Sequence, residues 1–452
     1  MELLSLPGEV LDHIVDLLHD DPFTLRSCSL VCRALVPAAR FHTFQHVALR
    51  QRWSRLVHTQ LEAFVLLLES PHCTFPTFVT RLTFQELDAD FPWPATDAYS
   101  VLRKRLPALA SIAFTQRGDR GQQIGSQLPG LKTFLPHYTH LASVVVNGAL
   151  FTFLDDLLQF LAILPSSLEM LELASLSWDR EEVFWSETIP FPAAQSLRTL
   201  RLYSSEYGVD AVSEVLDHFV ASTHGNTAGL QLRTLQLLQI LPQDFAAVGR
   251  FIDALGGILE DVSFGFSQDP PSWNADMYLL RKELDADIET FLASVDLRKL
   301  TSLRRFQFHT QHLDMMHDLH EEGKRTFTHR LLPAMLGSLA GIRPLDEVTI
   351  RLSFNAWHTA AEYGAARQLD ALAEWSELDA ALVKLEGVSR VVFCAGFERY
   401  KYASAYRGER VSDARHVHEE AVGIIPMRLP RMGRERNDTL SFAVQMPAEE
   451  DS

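Results

Sequence analysis

Cysteine is scarce in this sequence. Its 452 residues include four, which are Cys28, Cys32, Cys73 and Cys394. Thiols so few and so scattered exclude a disulfide-bonded scaffold and are typical of a reducing compartment. The chain also lacks an apolar run near the roughly 18 residues that a membrane-spanning helix needs, and residues 1–10 lack the basic start of a signal or transit peptide. We therefore expect a protein of the cytoplasm, the nucleus or both, with no membrane partner.

Positive charge is in deficit as well. The sequence has 41 Lys and Arg residues against 58 Asp and Glu, a formal net charge of −17 at pH 7. Nucleic acid backbones and anionic membranes attract positively charged proteins, so this balance argues against either as the main partner. A hydrophobic content of 47% and a charged content of 22% are typical of a globular protein, and the length allows about two to four ordinary domains or one large repeat array.

The motifs of common enzyme classes are missing. The sequence contains no GxSxG, HExxH, GxxxxGK[ST] or GxGxxG pattern, so it offers no serine nucleophile, zinc-protease helix or phosphate-binding loop. Cys28 and Cys32 lie four residues apart without a second ligand pair, which indicates buried core rather than zinc. We expect no catalytic residues, no cofactor and no metal.

One histidine-rich segment is the best candidate for a metal site. Its potential ligands are His309, His312, Asp314, His317, Asp318, His320 and Glu321. His317 and Glu321 are one helical turn apart, which suits ligation. The alternative, which we favour, is a solvated histidine-rich surface.

The first fifty residues contain two amphipathic helical patterns and a short third segment, Ala38–Phe44. Asp21 is the expected N-cap of the second helix, with Pro22 at its first position. That helix is predicted to stop before Pro37 and to bury Leu25, Cys28, Val31, Cys32 and Leu35. A unit of this size has a small core, and its apolar surplus indicates a face for another chain.

Residues 4–49 read LSLPGEVLDHIVDLLHDDPFTLRSCSLVCRALVPAARFHTFQHVAL, which resembles an F-box, in particular those of fungal F-box proteins. The matching parts are Leu6-Pro7, Glu9, Ile14, Leu18, Asp21-Pro22, Leu25 and the stretch from Cys28 to Arg33. The sequence departs from the family at Leu35, where the family often has Trp.

This resemblance implies a partner. F-boxes bind the Skp-type adaptor of Skp–cullin–F-box ubiquitin ligases. By resemblance, the residues at or near that interface are Leu6, Pro7, Ile14, Leu17, Leu18, Val31 and Cys32. The alternative is that these residues only hold a three-helix unit together.

A second pattern fills residues 77–400. The motif LxxLxL, with aliphatic or aromatic substitutes, occurs ten times, at Val79–Phe84, Leu109–Phe114, Leu141–Val146, Leu168–Leu173, Leu197–Leu202, Leu232–Leu237, Leu259–Phe264, Leu303–Phe308, Leu345–Ile350 and Val388–Phe393. Nine of the ten third positions are not apolar, and this alternation predicts a strand with one buried face. Helical patterns lie between the motifs, so we expect parallel strands joined by helices.

The repeat resembles a leucine-rich-repeat solenoid. The predicted fold is α/β, with a three-helix F-box followed by a curved solenoid of parallel strands and outer helices. Because the turn Asn or Cys of short leucine-rich repeats is absent, the repeats are irregular. The alternative is a doubly wound α/β domain. The ten motifs and the absence of nucleotide-loop glycines argue against this alternative.

These patterns predict four segments: an F-box at 1–50, a linker helix and N-terminal cap at 51–76, the solenoid at 77–400, and a C-terminal cap with an acidic tail at 401–452. The C-terminal part includes a possible last strand, Thr439–Val444. The expected function is the substrate-recognition subunit of a ubiquitin ligase, with no chemistry of its own. The alternatives are a repeat scaffold that binds the adaptor without directing ubiquitination, and a metal-dependent hydrolase.

The outward strand positions and the loops after the strands are the predicted binding surface for an unknown protein target. Arginine and tryptophan are frequent anchors of protein interfaces. The predicted target-binding residues are Arg81, Arg201, Tyr203, Arg305, Gln307, Arg351, Arg390, Trp178, Trp273 and Trp357. They form a slightly basic stripe, for which an acidic or phosphorylated segment is the preferred ligand. Alternatively, the arginines pair with neighbouring acids and the tryptophans pack the loops.

Overall fold

The structure is a computed structural model in which the chain forms two compact units, Met1–Leu197 and Arg198–Ser452. It describes residues 6–50, 60–85, 97–115, 122–124, 128–178, 191–203, 211–223, 230–266, 288–310, 327–343, 345–354, 374–385, 387–397, 422–435 and 441–445.

The first unit begins with three helices, α1 (Gly8–Asp16), α2 (Pro22–Val31) and α3 (Val36–Gln45). The carboxylate of Asp21 caps α2 by accepting the backbone N–H groups of Phe23 at 3.0 Å and Thr24 at 3.1 Å. Hydrogen bonds from the Thr24 hydroxyl and backbone lower the pKa of this carboxyl. The cap and the proline after it start the helix where the sequence predicted.

The second helix stops before Pro37, but the prediction that it includes Cys32 and Leu35 is wrong. The helix ends at Val31, because Cys32 is extended, with φ −151° and ψ 135°. A single 3₁₀ turn follows, and Pro37 then falls in the first turn of α3. There its missing N–H costs no helical hydrogen bond.

The main sheet of the first unit is parallel and runs in chain order. Its strands are β1 (His46–Arg50), β2 (Arg81–Gln85), β3 (Ser111–Thr115), β5 (Ser143–Asn147) and β7 (Met170–Ala174). A smaller parallel ladder follows three of them, made of β4 (Gln122–Gln123), β6 (Ala149–Phe151) and β8 (Ser177–Trp178). The helices of this unit after α3 are α4 (Gln60–Glu69), α5 (Asp97–Arg105), α6 (Leu128–Phe134) and α7 (Leu154–Ala162).

The second unit repeats the scheme. Its strands are β9 (Thr199–Tyr203), β10 (Thr234–Ile240), β11 (Asp261–Phe266), β12 (Arg305–Thr310), β13 (Glu347–Phe354), β14 (Arg390–Phe397) and β15 (Ser441–Gln445). Each pairs in parallel with the next. The helices of this unit include α8 (Ala211–Ser222), α9 (Phe245–Leu255), α10 (Phe327–Leu339), α11 (Trp375–Val383) and α12 (Pro430–Glu435). Residues 288–294 and 422–428 are also helical.

The repeat motif marks each strand start. Ten strands begin on the third position of the ten motifs, from Arg81 in β2 to Arg390 in β14. The fourth and sixth positions are buried, as with Leu200 at 0% and Leu202 at 1% exposure. The helices form a second layer whose apolar side chains are buried with those of the strands, for example Leu157 and Phe160 of α7. The predicted parallel strands joined by helices are confirmed.

Two details differ from the sequence prediction. Residues 46–50, assigned to the F-box, form β1 and pair with β2. The possible last strand, Thr439–Val444, is present as β15, which begins two residues later and ends one residue later.

Candidate functional site

The helices α1 to α3 enclose a very small core. Its buried members are Leu11, Val15, Leu25, Leu35 and Ala39. The remaining apolar side chains have no room inside, since a unit of this size buries little surface. We call the exposed ones the N-terminal apolar surface, which comprises Val10, Ile14, Leu17, Phe23, Leu30, Val31 and Phe41. Four of these side chains are largely in solvent, with exposures from 71% to 87%.

The structure divides the predicted adaptor-binding residues into two groups. Ile14, Leu17 and Val31 belong to the N-terminal apolar surface, and Pro7 is exposed directly before α1. Leu6, Leu18 and Cys32 instead pack against the small core and are partly buried. The separate prediction that Val31 is buried in the second helix is wrong, because its exposure is 75%.

Sequence reasoning missed Phe23 and Leu30, which are 77% and 87% exposed on α2. They lie seven residues apart, which is two helical turns, so they share one face. That spacing was visible in the sequence. The guanidinium of Arg26 lies 5.9 Å from the Phe23 ring centroid, a cation–π distance.

One polar contact joins α1 to α3, and a second joins α3 to the loop after α4. Nε2 of His42 on α3 lies 2.7 Å from Oδ1 of Asp16 at the end of α1. Arg40 donates from Nη1 to the Thr74 hydroxyl at 2.7 Å. Neither contact involves a side chain of the N-terminal apolar surface, one member of which, Phe41, has its ring 5.9 Å from that of Phe78.

The second candidate surface is the face of the second unit's sheet that carries the third motif positions. In register, Asp261, Arg305, Glu347 and Arg390 stand side by side on β11 to β14. Arg305 donates from Nε and Nη2 to the two carboxylate oxygens of Asp261, each at 2.6 Å. Arg390 donates from Nη1 to Oε2 of Glu347 at 3.0 Å.

These pairs change the predicted electrostatics of the stripe. The hydrogen bonds that Arg305 donates to Asp261, and the negative charge of that carboxylate, raise the pKa of Arg305. Two of the arginines in the predicted basic stripe are therefore neutralised by acids on the neighbouring strand. For these two, the alternative of pairing with neighbouring acids is the one observed.

Further along the same strands, the outward side chains are partly or fully buried. Arg201, Tyr203, Gln307 and Arg351 are partly exposed. Four other outward positions are buried, namely Ser263, Thr349, Val392 and Cys394. Ser263 is a short side chain between Gln236 and Gln307 in the register, so longer neighbours flank it. The outward face is open in places rather than continuous.

His309 lies at the end of this face on β12, in register with Arg351. Burial, together with the positive charge of Arg351, lowers the pKa of His309 to about 3. The imidazole is therefore neutral near pH 7. The other members of the histidine-rich segment lie outside the described residues. Within the described part of the chain, no three His, Cys, Asp or Glu side chains are arranged to hold a metal ion.

The remaining predicted target-binding residues are scattered. Arg81 is exposed on β2, next to His46 and Ser111 in the register. Trp178 belongs to β8, where its backbone pairs with Phe151. Trp273 and Trp357 lie outside the residues that the structure describes. The first unit thus carries Arg81 and Trp178, and the second carries the other described members.

In the ranges the structure describes, no helix has both the length and the apolar character required to cross a bilayer.

Comparisons with known proteins give structural similarity only. No family model and no curated protein matches the chain. Among solved structures, the leucine-rich-repeat protein LegL7 from Legionella pneumophila is similar over 77% of this chain and 90% of its own, with 13% identity and a TM-score of 0.41. A protein from Bacteroides fragilis is similar over 76% of this chain and 66% of its own, with 10% identity and a TM-score of 0.32. Both TM-scores are below 0.5, so the fold is assigned from the strand order and the strand register alone.

Proposed function

We propose that this chain is a non-catalytic protein-binding subunit of a Skp–cullin–F-box type ubiquitin ligase, in the cytoplasm, the nucleus or both. Its N-terminal helices dock on a Skp-type adaptor, and its repeats hold a target protein. Ubiquitin transfer takes place on partner chains. The subunit supplies proximity by raising the local concentration of the target near the ubiquitin carrier.

One observation carries this proposal. Of the eleven large hydrophobic side chains that are exposed among the described residues, seven lie within residues 10–41. Covering one such side chain is worth about 1.5–3 kcal/mol when burial is complete. A partner that covers several of them therefore gains enough free energy for stable docking, and the F-box resemblance names that partner as the adaptor.

The leucine-rich repeats supply the target-binding part of the proposal. Arg201, Tyr203, Gln307 and Arg351 are the partly exposed outward residues of the second unit, and they remain our candidates for contact with the target. Arg305 and Arg390 contribute less net charge, because Asp261 and Glu347 neutralise them.

Adaptor binding is tested with a double variant, Leu17→Asp and Val31→Asp. Both side chains are exposed, at 71% and 75%, so the melting temperature should stay near that of the parent while capture of a purified Skp-type adaptor is lost. The matched control is Leu66→Asp and Leu67→Asp on α4, which changes two exposed leucines elsewhere. Equal adaptor capture by the first variant and the parent would refute docking through this surface.

Ligase membership needs a separate measurement. Affinity purification from cells, with and without proteasome inhibition, should recover the adaptor, a cullin and a target that accumulates under inhibition. Recovery of the adaptor without a cullin would favour the scaffold function instead.

A further inference from the structure

Acidic residues are almost absent from one part of the chain. Residues 98–154 contain one, Asp119, whereas the chain as a whole has 58 in 452, so a stretch of 57 residues would carry about seven at that average. The same stretch contains six Lys and Arg residues. The whole chain has a net charge of −17, but this stretch of the first unit has a net positive charge.

The described basic side chains of this stretch sit on neighbouring helices. Arg103, Lys104 and Arg105 are exposed in the last turn of α5. Lys132 is exposed on α6, where its Nζ donates to Oε1 of Gln159 at 2.9 Å. We call these four residues the basic surface.

Within the described residues, no carboxylate pairs with any member of the basic surface. Other basic residues of the chain do pair, as with Arg233 and Glu260 at 3.2 Å or Arg250 and Asp217 at 2.6 Å. Charge at the basic surface is therefore not neutralised in the way it is on the sheet of the second unit. That difference leaves it available to a partner.

The basic surface rests on a packed base. The rings of Tyr99 on α5 and Phe134 on α6 lie 4.9 Å apart at their centroids. Gly130 of α6 faces the Tyr99 ring so closely that an added Cβ would collide with it. These contacts hold the two helices together, so the four basic side chains are presented from fixed backbone positions.

The end of a helix explains only part of this arrangement. Basic residues in a last turn interact favourably with the helix dipole, which accounts for positive charge at the end of α5. It does not account for the missing acids over residues 98–154, nor for Lys132 within α6.

We propose that the basic surface docks an Asp- and Glu-rich segment of a partner protein. The chemistry is charge complementarity between ammonium or guanidinium groups and carboxylates. A nucleic acid is disfavoured as the occupant, because the rings of Tyr99 and Phe134 beneath the basic surface are buried and offer no platform on which bases could stack. This inference rests on the target-binding half of the proposed function and adds a second contact with the target, on the helices of the first unit.

The test uses the purified full-length chain and a fluorescent peptide of alternating glutamate and glycine, followed by anisotropy at low salt. The reversal variant is Arg103→Glu, Lys104→Glu, Arg105→Glu, and we expect it to bind the peptide about tenfold more weakly or worse. Raising the salt to about 0.5 M should weaken binding to the parent. Neutralisation by Arg103→Gln, Lys104→Gln, Arg105→Gln should give an intermediate loss while retaining good helix formers.

The matched control is Arg330→Glu, Arg343→Glu, Lys384→Glu, which changes net charge equally at exposed positions of the second unit. It should bind the peptide much better than the reversal variant. Equal binding by the reversal variant and the parent would overturn the proposal, as would equal affinity of the parent for a glutamine–glycine peptide. Clearly tighter binding of a phosphopeptide or a single-stranded RNA, lost in the reversal variant, would also overturn it.

Adaptor capture is measured on the same variants. If the parent captures no adaptor but the peptide binds through the basic surface, the ligase proposal fails and this inference stands. If the adaptor is captured and the peptide does not bind, the inference fails alone.

Discussion

Oδ1 of Asp379 accepts a hydrogen bond from the backbone N–H of Met432 at 2.9 Å, across 53 residues of sequence. Oδ2 of the same carboxylate accepts the N–H of Arg431 at 2.8 Å. Asp379 is 2% exposed on α11, and the two amides belong to the first turn of α12. A buried side chain of one helix thus caps the start of another, where the amides have no partner within their own helix.

We expect Asp379→Ala to weaken the attachment of α12 to α11. Both amides lose their acceptor, and the loss of two charge-assisted hydrogen bonds should cost about 2–4 kcal/mol. Hydrogen exchange at Arg431 and Met432 is the measurement, because it reports the local loss directly. The exposed Glu377→Ala variant of the same helix is the control. Unchanged protection of the two amides in Asp379→Ala would show that the carboxylate does not hold α12.

Two helix glycines should respond oppositely to the same substitution. An added Cβ at Gly249 on α9 would collide with the backbone carbonyl of Ser294, whereas nothing lies within 4 Å of one at Gly337 on α10. Gly249→Ala should therefore lower stability, by about 1–3 kcal/mol for an overpacked site. Gly337→Ala should raise it by about 0.5–1 kcal/mol through helix propensity. Urea titrations of the two variants compare them, and a shift of the same sign in both would contradict the packing described for α9.

The ion pair of Arg305 and Asp261 should contribute little to the free energy of unfolding, but reversing the charge of Arg305 should lower that free energy clearly. The Arg305 side chain is 58% exposed, so Arg305→Ala should cost less than about 1 kcal/mol. Arg305→Glu should cost more, because it places a third acid between Asp261 and Glu347 in the register and like charges on adjacent strands repel. Adding Asp261→Arg should recover part of that loss. A double-mutant cycle in urea measures the coupling, and a cycle with no coupling would mean that the pair is not formed in solution.

His309 should make the stability of the chain depend on pH on the acidic side. Its folded pKa is lowered to about 3, below the ordinary unfolded value of about 6.5, so the unfolded chain binds the proton more readily. Stability from this group is complete above about pH 6.5 and falls as the pH drops toward 3, by up to about 1.4 kcal/mol per pH unit. The difference in urea midpoint between the parent and His309→Gln, followed from pH 7 to pH 4.5, reports this contribution. A difference that does not change with pH would contradict it.

The strands were the most predictable part of the fold. In each motif the fourth and sixth positions are apolar and two apart, which fits one face of a strand and no face of a helix. β1 was not predicted, although Phe44–Leu49 fits the motif and β1 begins at its third position, His46, because these residues were assigned to the F-box. The ladder of β4, β6 and β8 was not predicted, because strands of two or three residues are too short to show an alternating pattern.

The candidate sites were less predictable for two physical reasons. Val31 is exposed because α2 ends at that residue, and helix ends are set by local backbone conformation that periodicity does not reveal. The pairing of Arg305 with Asp261 spans 44 residues and depends on the register between two strands. The number of arginines and acids on an outward face predicts its net charge, but not which of them neutralise each other.

Strictly sequential strand pairing also bears on how this protein is made. A strand meets its predecessor after 27 residues in the pair Ser143 and Met170, and after 51 in the pair Arg390 and Ser441. Synthesis at about 5–20 residues per second adds such a segment within seconds. Because each new repeat needs only the one before it as a template, folding can keep pace with the ribosome. The growing sheet then exposes its newest strand edge nearest the exit tunnel, where binding by a chaperone would protect it until the next repeat pairs.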